Sequence, residues 1–377
     1  AVLGGAQNTF IGFEAGKTIN TASLNTLIGS YTGRLIDTGA ENVGLGYNAL
    51  ATDVKGSNSI AIGSKALQAQ SFSGATSANN TAVGHNAGKT VSTGIRNTII
   101  GSEAGDALSD ADDNVAIGAL ALSGDRKGNK STAIGRGALK VQDFESSTDS
   151  NNTAVGYSAG ESVTTGQVNV FVGSLSGDAL THSGANTFIG HNSGGAYNGA
   201  DANTFNTFIG TDSGSAMSTG TKNTILGSYD GNEGGLDIRT ASNNIVLSDG
   251  DGNPRNFIGS TGTTSLSETA GIGRFGSSQG ISVADDATVT VNAPSKSAGG
   301  YIITVYDTAG GTGGCFYATF RGGTTLIAEG ISGDCATADT DGKLCVFKTS
   351  GAHTITFKNR MGGTKTFFIG CYAAHII

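Results

Sequence analysis

The sequence predicts an all-β chain. A repetitive β-solenoid, β-helix-like shaft of 17-residue coils spans residues 1–259, and an antiparallel, jelly-roll-like β-sandwich spans 281–377. Three observations predict this. A pentapeptide of the form Asn-Thr-x-Ile-Gly recurs with its last residue at Gly12, Gly29, Gly46, Gly63, Gly84, Gly101, Gly118, Gly135, Gly156, Gly173, Gly190, Gly210, Gly227 and Gly259, with Ser248 standing in once. The step is mostly 17 residues, stretched to 20 or 21 at intervals and 11 at the end, and a short fixed period marks a stack of coils. Beyond residue 280 the pattern changes to ordinary alternating strands.

Within a shaft coil the residue before the glycine is always aliphatic, as in Ile11, Ile28 and Leu45, and the residue two earlier is almost always β-branched. Side chains two apart share one strand face, so these two rows are expected to form the buried stripe. The middle row carries Phe10, Leu27, Ile99, Phe171, Phe188, Phe208 and Ile225 among smaller residues. Facing outward it would be a long apolar patch, which implies burial against other copies of the chain. The glycine supplies positive φ at a corner, and the asparagine four residues before it is placed to bond its counterparts above and below.

Four coils form a block of about 72 residues, and the blocks match: Ala15-Gly16-Lys17-Thr18 returns as Ala87-Gly88-Lys89-Thr90. In the first two blocks the coil ends read Ala-Gly, Ala-Gly, Ala-Leu, Ala-Leu, through Leu50, Leu67, Leu122 and Leu139. The lengthened coils are expected to protrude as loops, with Phe72 and Phe144 either facing a receptor or anchoring the loop to the rod. If each coil adds about 4.8 Å, fifteen make a rod of roughly 70 Å. The chain enters its first coil by Asn8, and that coil is expected to rest on an upstream partner.

The repeat decays through Asn244–Arg255, and a Gly/Ser/Thr-rich joint covers 260–280. Seven or eight short runs rich in β-branched and aromatic residues then alternate with glycine-rich turns, the pattern of a sandwich. Cys315, Cys335, Cys345 and Cys371 all lie in this part, consistent with two disulfides in any of three connectivities or with four thiols. The net charge of −8 is carried entirely by residues 1–259, which disfavours nucleic acid and anionic membranes as partners. No apolar run approaches the ~20 residues of a membrane span, so no membrane insertion is expected.

The Asn-Thr-x-Ile-Gly-x-x-Ala-Gly coils and the closing Asn243–Asn253 segment resemble the glycine-rich repeats of tailed-phage tail fibres. Asn58-Ser-Ile-Ala-Ile-Gly63 is also similar to the head repeats of YadA-like trimeric adhesins. The resemblance implies a homotrimeric fibre ending in a receptor-binding tip, located on a virion and extracellular, with an upstream fibre or virion protein as the partner of the first coil. The chain lacks a heptad stalk and a terminal membrane anchor, which favours the phage fibre over a bacterial adhesin.

For chemistry, Asp249, Asp251 and Asn253 have the opening spacing of a calcium loop, but Pro254 and Ser260 stand where its glycine and bidentate Glu belong, so a solvated turn is expected and no metal. The five histidines show no ligand spacing, and no phosphate loop or nucleophile elbow appears; no cofactor and no enzyme activity are expected. The alternative is a glycan-depolymerising tailspike with carboxylates from distant coils, against which stands the sparseness of aromatics in the rod. Receptor contact is expected at the tip, through Arg321 and a cationic turn holding Lys358, Arg360 and Lys365, against a host surface glycan or protein.

Overall fold

The computed structural model describes residues 5–262 and, beyond them, Thr337, Arg360 and the strands Thr264–Leu266, Arg274–Gly276, Ile281–Val283, Thr288–Asn292, Gly300–Asp307, Gly313–Thr319, Thr324–Glu329, Cys335–Ala336, Leu344–Phe347, Thr354–Asn359 and Lys365–Ala374. The chain divides into two compact units: Ala1–Ser242 with Gly250–Asn253, and Asn243–Asp249 with Pro254–Ile377.

The first unit is a β-solenoid of about 14 turns with coils of about 17 residues. Each coil gives one three-residue strand, from Thr9–Ile11 through Thr224–Leu226. Successive strands pair in parallel and in register: Thr9 with Thr26, Phe10 with Leu27, Ile11 with Ile28, and so on to Phe208 with Ile225. The corner glycine is needed twice over. Gly12 has φ 134°, and a Cβ there would meet the carbonyl oxygen of Gly29 at 2.5 Å, so coils close up backbone against backbone.

The asparagine ladder forms as expected. The Asn25 side-chain oxygen accepts the Asn42 backbone N–H at 3.0 Å, and the Asn25 amide donates to the Gly39 carbonyl at 3.0 Å. Each rung thereby satisfies one buried donor and one buried acceptor of the next coil. The ladder breaks where Ser59 and Ser131 occupy the asparagine position, and Gln70 and Gln142 bridge the two breaks. Gln70 Nε2 donates to Ser59 Oγ at 3.1 Å and Asp53 Oδ2 at 2.6 Å, while its Oε1 accepts from Asn80 at 2.9 Å. Gln142 repeats this with Ser131, Asp125 and Asn152.

The two strand faces are the reverse of the sequence expectation. The middle residue points inward: Leu27, Ile99, Phe171, Phe188, Phe208 and Ile225 are fully buried inside the coil, as are Ala61, Ala116 and Ala133. The flanking rows point out, leaving Ile11 59% and Leu45 43% exposed. A three-residue strand between two corners has one inward position, and the two-residue period fixes the flanks outside. Their uniformity reflects what a flat parallel sheet accepts rather than burial. The stripe inferred to cover a neighbouring copy is therefore this chain's own core.

That core is filled by size exchange. Four residues after the corner glycine the backbone has positive φ in every coil but the side chain alternates. Where the strand presents Leu27 this position is Gly33, and a Cβ there would meet Leu27 at 2.6 Å. Where the strand presents Gly44, Ala61, Ala116 or Ala133, the position holds Leu50, Leu67, Leu122 or Leu139, all fully buried. Phe171, Phe188 and Phe208 again face Gly177, Gly194 and Gly214. Two coils pair Ala82 with Gly88 and Ala154 with Gly160, and there Ile99 with Leu67, or Phe171 with Leu139, reaches in from the adjoining coils. The Ala-Gly and Ala-Leu coil ends are thus complements of the strand residues around them.

Phe72 and Phe144, 6% and 5% exposed, anchor the lengthened coils against the rod and do not face outward; the residues 73–75 and 145–147 beside them form the exposed protrusions. The last repeat is not a coil. Ile245–Ser248 pairs antiparallel with Pro254–Ile258, because Asp249–Asn253 reverses the chain. In the second unit, Gly300–Asp307 pairs antiparallel with Gly313–Thr319 and Lys365–Ala374, and Thr354–Asn359 lies between Thr288–Asn292 and Leu344–Phe347.

Candidate binding surfaces of the two units

The flanking strand residues build a continuous outward face. Its rows are Ile11, Ile28, Leu45, Ile62 and their successors, and Thr9, Thr26, Val43, Ile60 and theirs. Thirteen strands at about 4.8 Å give a surface roughly 60 Å long and about 10 Å wide, formed of aliphatic and threonine side chains.

Beside the corner, the first three coils carry a different surface. Position one after the corner glycine is Phe13 in the first coil and Tyr47 in the third, and Tyr31 sits two after Gly29 in the second. Stacking brings them into one row. Phe13 meets Tyr31 edge to face with centroids 5.4 Å apart, and Tyr31 meets Tyr47 at 6.1 Å. Phe13 is 64% and Tyr47 49% exposed. With Glu14, Arg34 and Asn48 these rings line an open cleft of about 450 Å³.

The polar side of this cleft is held in place. Glu14 accepts from Lys17 Nζ at 2.7 Å and from Arg34 Nε at 2.9 Å, and the Arg34 guanidinium lies 5.5 Å over the Tyr31 ring. The hydrogen bond from Lys17, and after it the Arg34 charge, holds the Glu14 carboxyl below the usual carboxylate range. The signal for this site in the sequence was three aromatics in consecutive coils at nearly the same coil position. It has no meaning until the coils are stacked.

Of the residues expected to contact a receptor, Arg321 lies outside the described residues, as do 361–364. Lys358 lies within the strand Thr354–Asn359, opposite Thr288 on one side and Cys345 on the other. Arg360 follows that strand and is half-buried, and Lys365 opens the last strand opposite Val283. Cys345 is buried; Cys315 and Cys371 sit on the two strands flanking Gly300–Asp307.

Of the calcium-loop candidates, Asp249 is engaged by the Arg255 guanidinium, with Nε at 2.9 Å. A guanidinium on the carboxylate occupies the place a cation would need. Among the described residues no group of three or more His, Cys, Asp and Glu side chains could hold a metal ion, and no helix is long and apolar enough to cross a membrane. Comparison with family models, with curated proteins and with solved structures finds no match to this chain.

Proposed function

We propose that this chain is a non-catalytic fibre protein of a phage virion, whose shaft spaces a C-terminal tip from the particle and whose tip attaches to the host surface. The observation that carries this reading is the shaft itself: about 14 turns whose buried asparagines bond to neighbouring coils, an arrangement suited to a stiff spacer. The second unit, with its antiparallel strands in two sheets, is taken as a sandwich that presents receptor contacts on loops.

Assembly into a parallel homotrimer rests on the outward aliphatic face, not on the phenylalanine row. Its extent, roughly 600 Å², is at the lower end of what each partner brings to a standard interface. Three tips on one assembly convert a weak glycan contact into useful avidity. Light scattering of the purified chain is expected to give three times the chain mass, and Leu45→Lys with Leu226→Lys to shift it to monomer; a wild-type monomer at micromolar concentration refutes the trimer.

Attachment is tested by binding to host cells, with the chain truncated after residue 259 expected to lose it. Incubation with capsule or lipopolysaccharide is expected to leave the saccharide length unchanged. Shortened oligosaccharides would make the chain a depolymerase instead.

A further inference from the structure

We propose that the Phe13–Tyr31–Tyr47 cleft on the first three coils is a saccharide-binding site, fitted to consecutive neutral pyranose units of a glycan lying along the shaft.

The rings are not there for the fold. One residue after the corner glycine, other coils carry Ser30, Ser64, Ser102, Ser174 and Thr211, but also His85, Ala119, Arg136, Tyr157 and His191, so the fold does not require an aromatic ring at this position. Two residues after it the backbone is left-handed from Glu14 to Asp212, and Asn48, Asn86 and Asn192 occupy it with the residue type that tolerates positive φ. Tyr31 takes the same conformation, φ 61°, as Leu120 and Leu175 do in their coils. Aromatic rings in three adjacent coils and in mutual contact, two of them exposed, are the informative exception to a polar surface.

The chemistry of the lining selects the ligand. A pyranose has an apolar C–H face, which lies on an electron-rich ring, and a rim of hydroxyls that both donate and accept. The cleft offers ring surface from Phe13 and Tyr47, an acceptor in Glu14, donors in Arg34, and both in Asn48. Glu14 offsets part of the positive charge, so the site is not built around a phosphate or other strong anion. The mutual grip of Glu14, Lys17 and Arg34 fixes these groups before a ligand arrives, which lowers the ordering cost of binding. The row of rings follows the coil stack, so a linear chain along the shaft axis meets one ring after another.

The test uses the full chain and soluble linear hexasaccharides of glucose, of N-acetylglucosamine and of galactose, titrated by calorimetry and by tyrosine fluorescence, the chain having no tryptophan. At least one is expected to saturate. Phe13→Ala with Tyr47→Ala is expected to weaken it at least about tenfold with an unchanged melting temperature. Tyr157→Ala, on a later coil, is expected to leave it intact. Lack of saturation by all three sugars, or binding that survives the double substitution, overturns the proposal. So does a double variant that alters the oligomeric mass without altering sugar affinity, which would make the rings a contact between copies. The site belongs to the shaft, so its failure leaves the reading of the tip untouched, and loss of host binding on tip truncation leaves this site untouched.

Discussion

The first two blocks of the shaft and the third solve the same coil in different ways. In the first two, the fourth coil breaks the asparagine ladder at Ser59 and Ser131 and bridges it with a buried Asp-Gln pair. Its core is an alanine strand covered by Leu67 or Leu139 of the same coil. In the third block the ladder runs unbroken through Asn152, Asn169, Asn186, Asn206 and Asn223. Its core is a file of phenylalanines, with Phe188 stacked on Phe208 at 4.8 Å. The backbone frame tolerates both because the constraint is a sum of volumes at two positions, not the identity of either.

The largest effect is expected from breaking that sum. Phe188→Ala should destabilise the shaft by about 3–5 kcal/mol, and Gly194→Leu by roughly 3 kcal/mol, since a Cβ at Gly194 meets the Phe188 ring at 2.6 Å. Together they recreate the Ala133–Leu139 arrangement, and the double variant should be more stable than the summed losses by at least about 1 kcal/mol. Denaturant unfolding followed coil by coil with hydrogen exchange measures this; simple additivity would remove the size-exchange account.

A smaller loss follows from cutting the unbroken ladder. Asn186→Ala leaves the buried Asn206 N–H without its acceptor and removes the bond from Thr204, and should cost about 2 kcal/mol. Faster amide exchange should be confined to the coils on either side. Uniform acceleration along the shaft would show that the rungs do not act locally.

The smallest effect separates the blocks by pH. Burial pushes the Asp53 and Asp125 carboxyls up, opposed by the hydrogen bonds from Gln70 and Gln142. A folded-state value above the unfolded one means the contribution is present at pH below the unfolded value and is lost as pH rises through the folded value. The stability of the wild type relative to Asp53→Asn with Asp125→Asn should therefore fall as pH climbs from about 4. The third block should show no such difference, and a flat difference in the first two would place the carboxylates in water.

The period, the corner glycines and the ladder were legible because each is a local requirement repeated many times. The strand faces were not. Constancy of Ile11, Ile28 and Leu45 suggested burial, yet the buried position is the variable one, since Gly33 or Leu50 can compensate for Leu27 or Gly44. Periodicity shows which residues share a face but not which face is inside. The aromatic cleft was hidden for a related reason: Phe13, Tyr31 and Tyr47 lie at least 16 residues apart and meet only through stacking. The Pro254–Ile258 strand kept the repeat's lettering while changing its pairing, and lettering was all the sequence offered.

Every bond between coils, from the Gly29 N–H on Ile11 to the Asn25 carboxamide on Gly39, points along the stacking direction. A pull along that direction loads the coils in series, so the force the shaft withstands is that of one coil however many there are. Each coil that opens gives up about 4.8 Å of rod and releases 17 residues of chain, roughly 55–60 Å when taut. The shaft is then a stiff strut under compression and an extensible tether under tension, yielding one turn at a time.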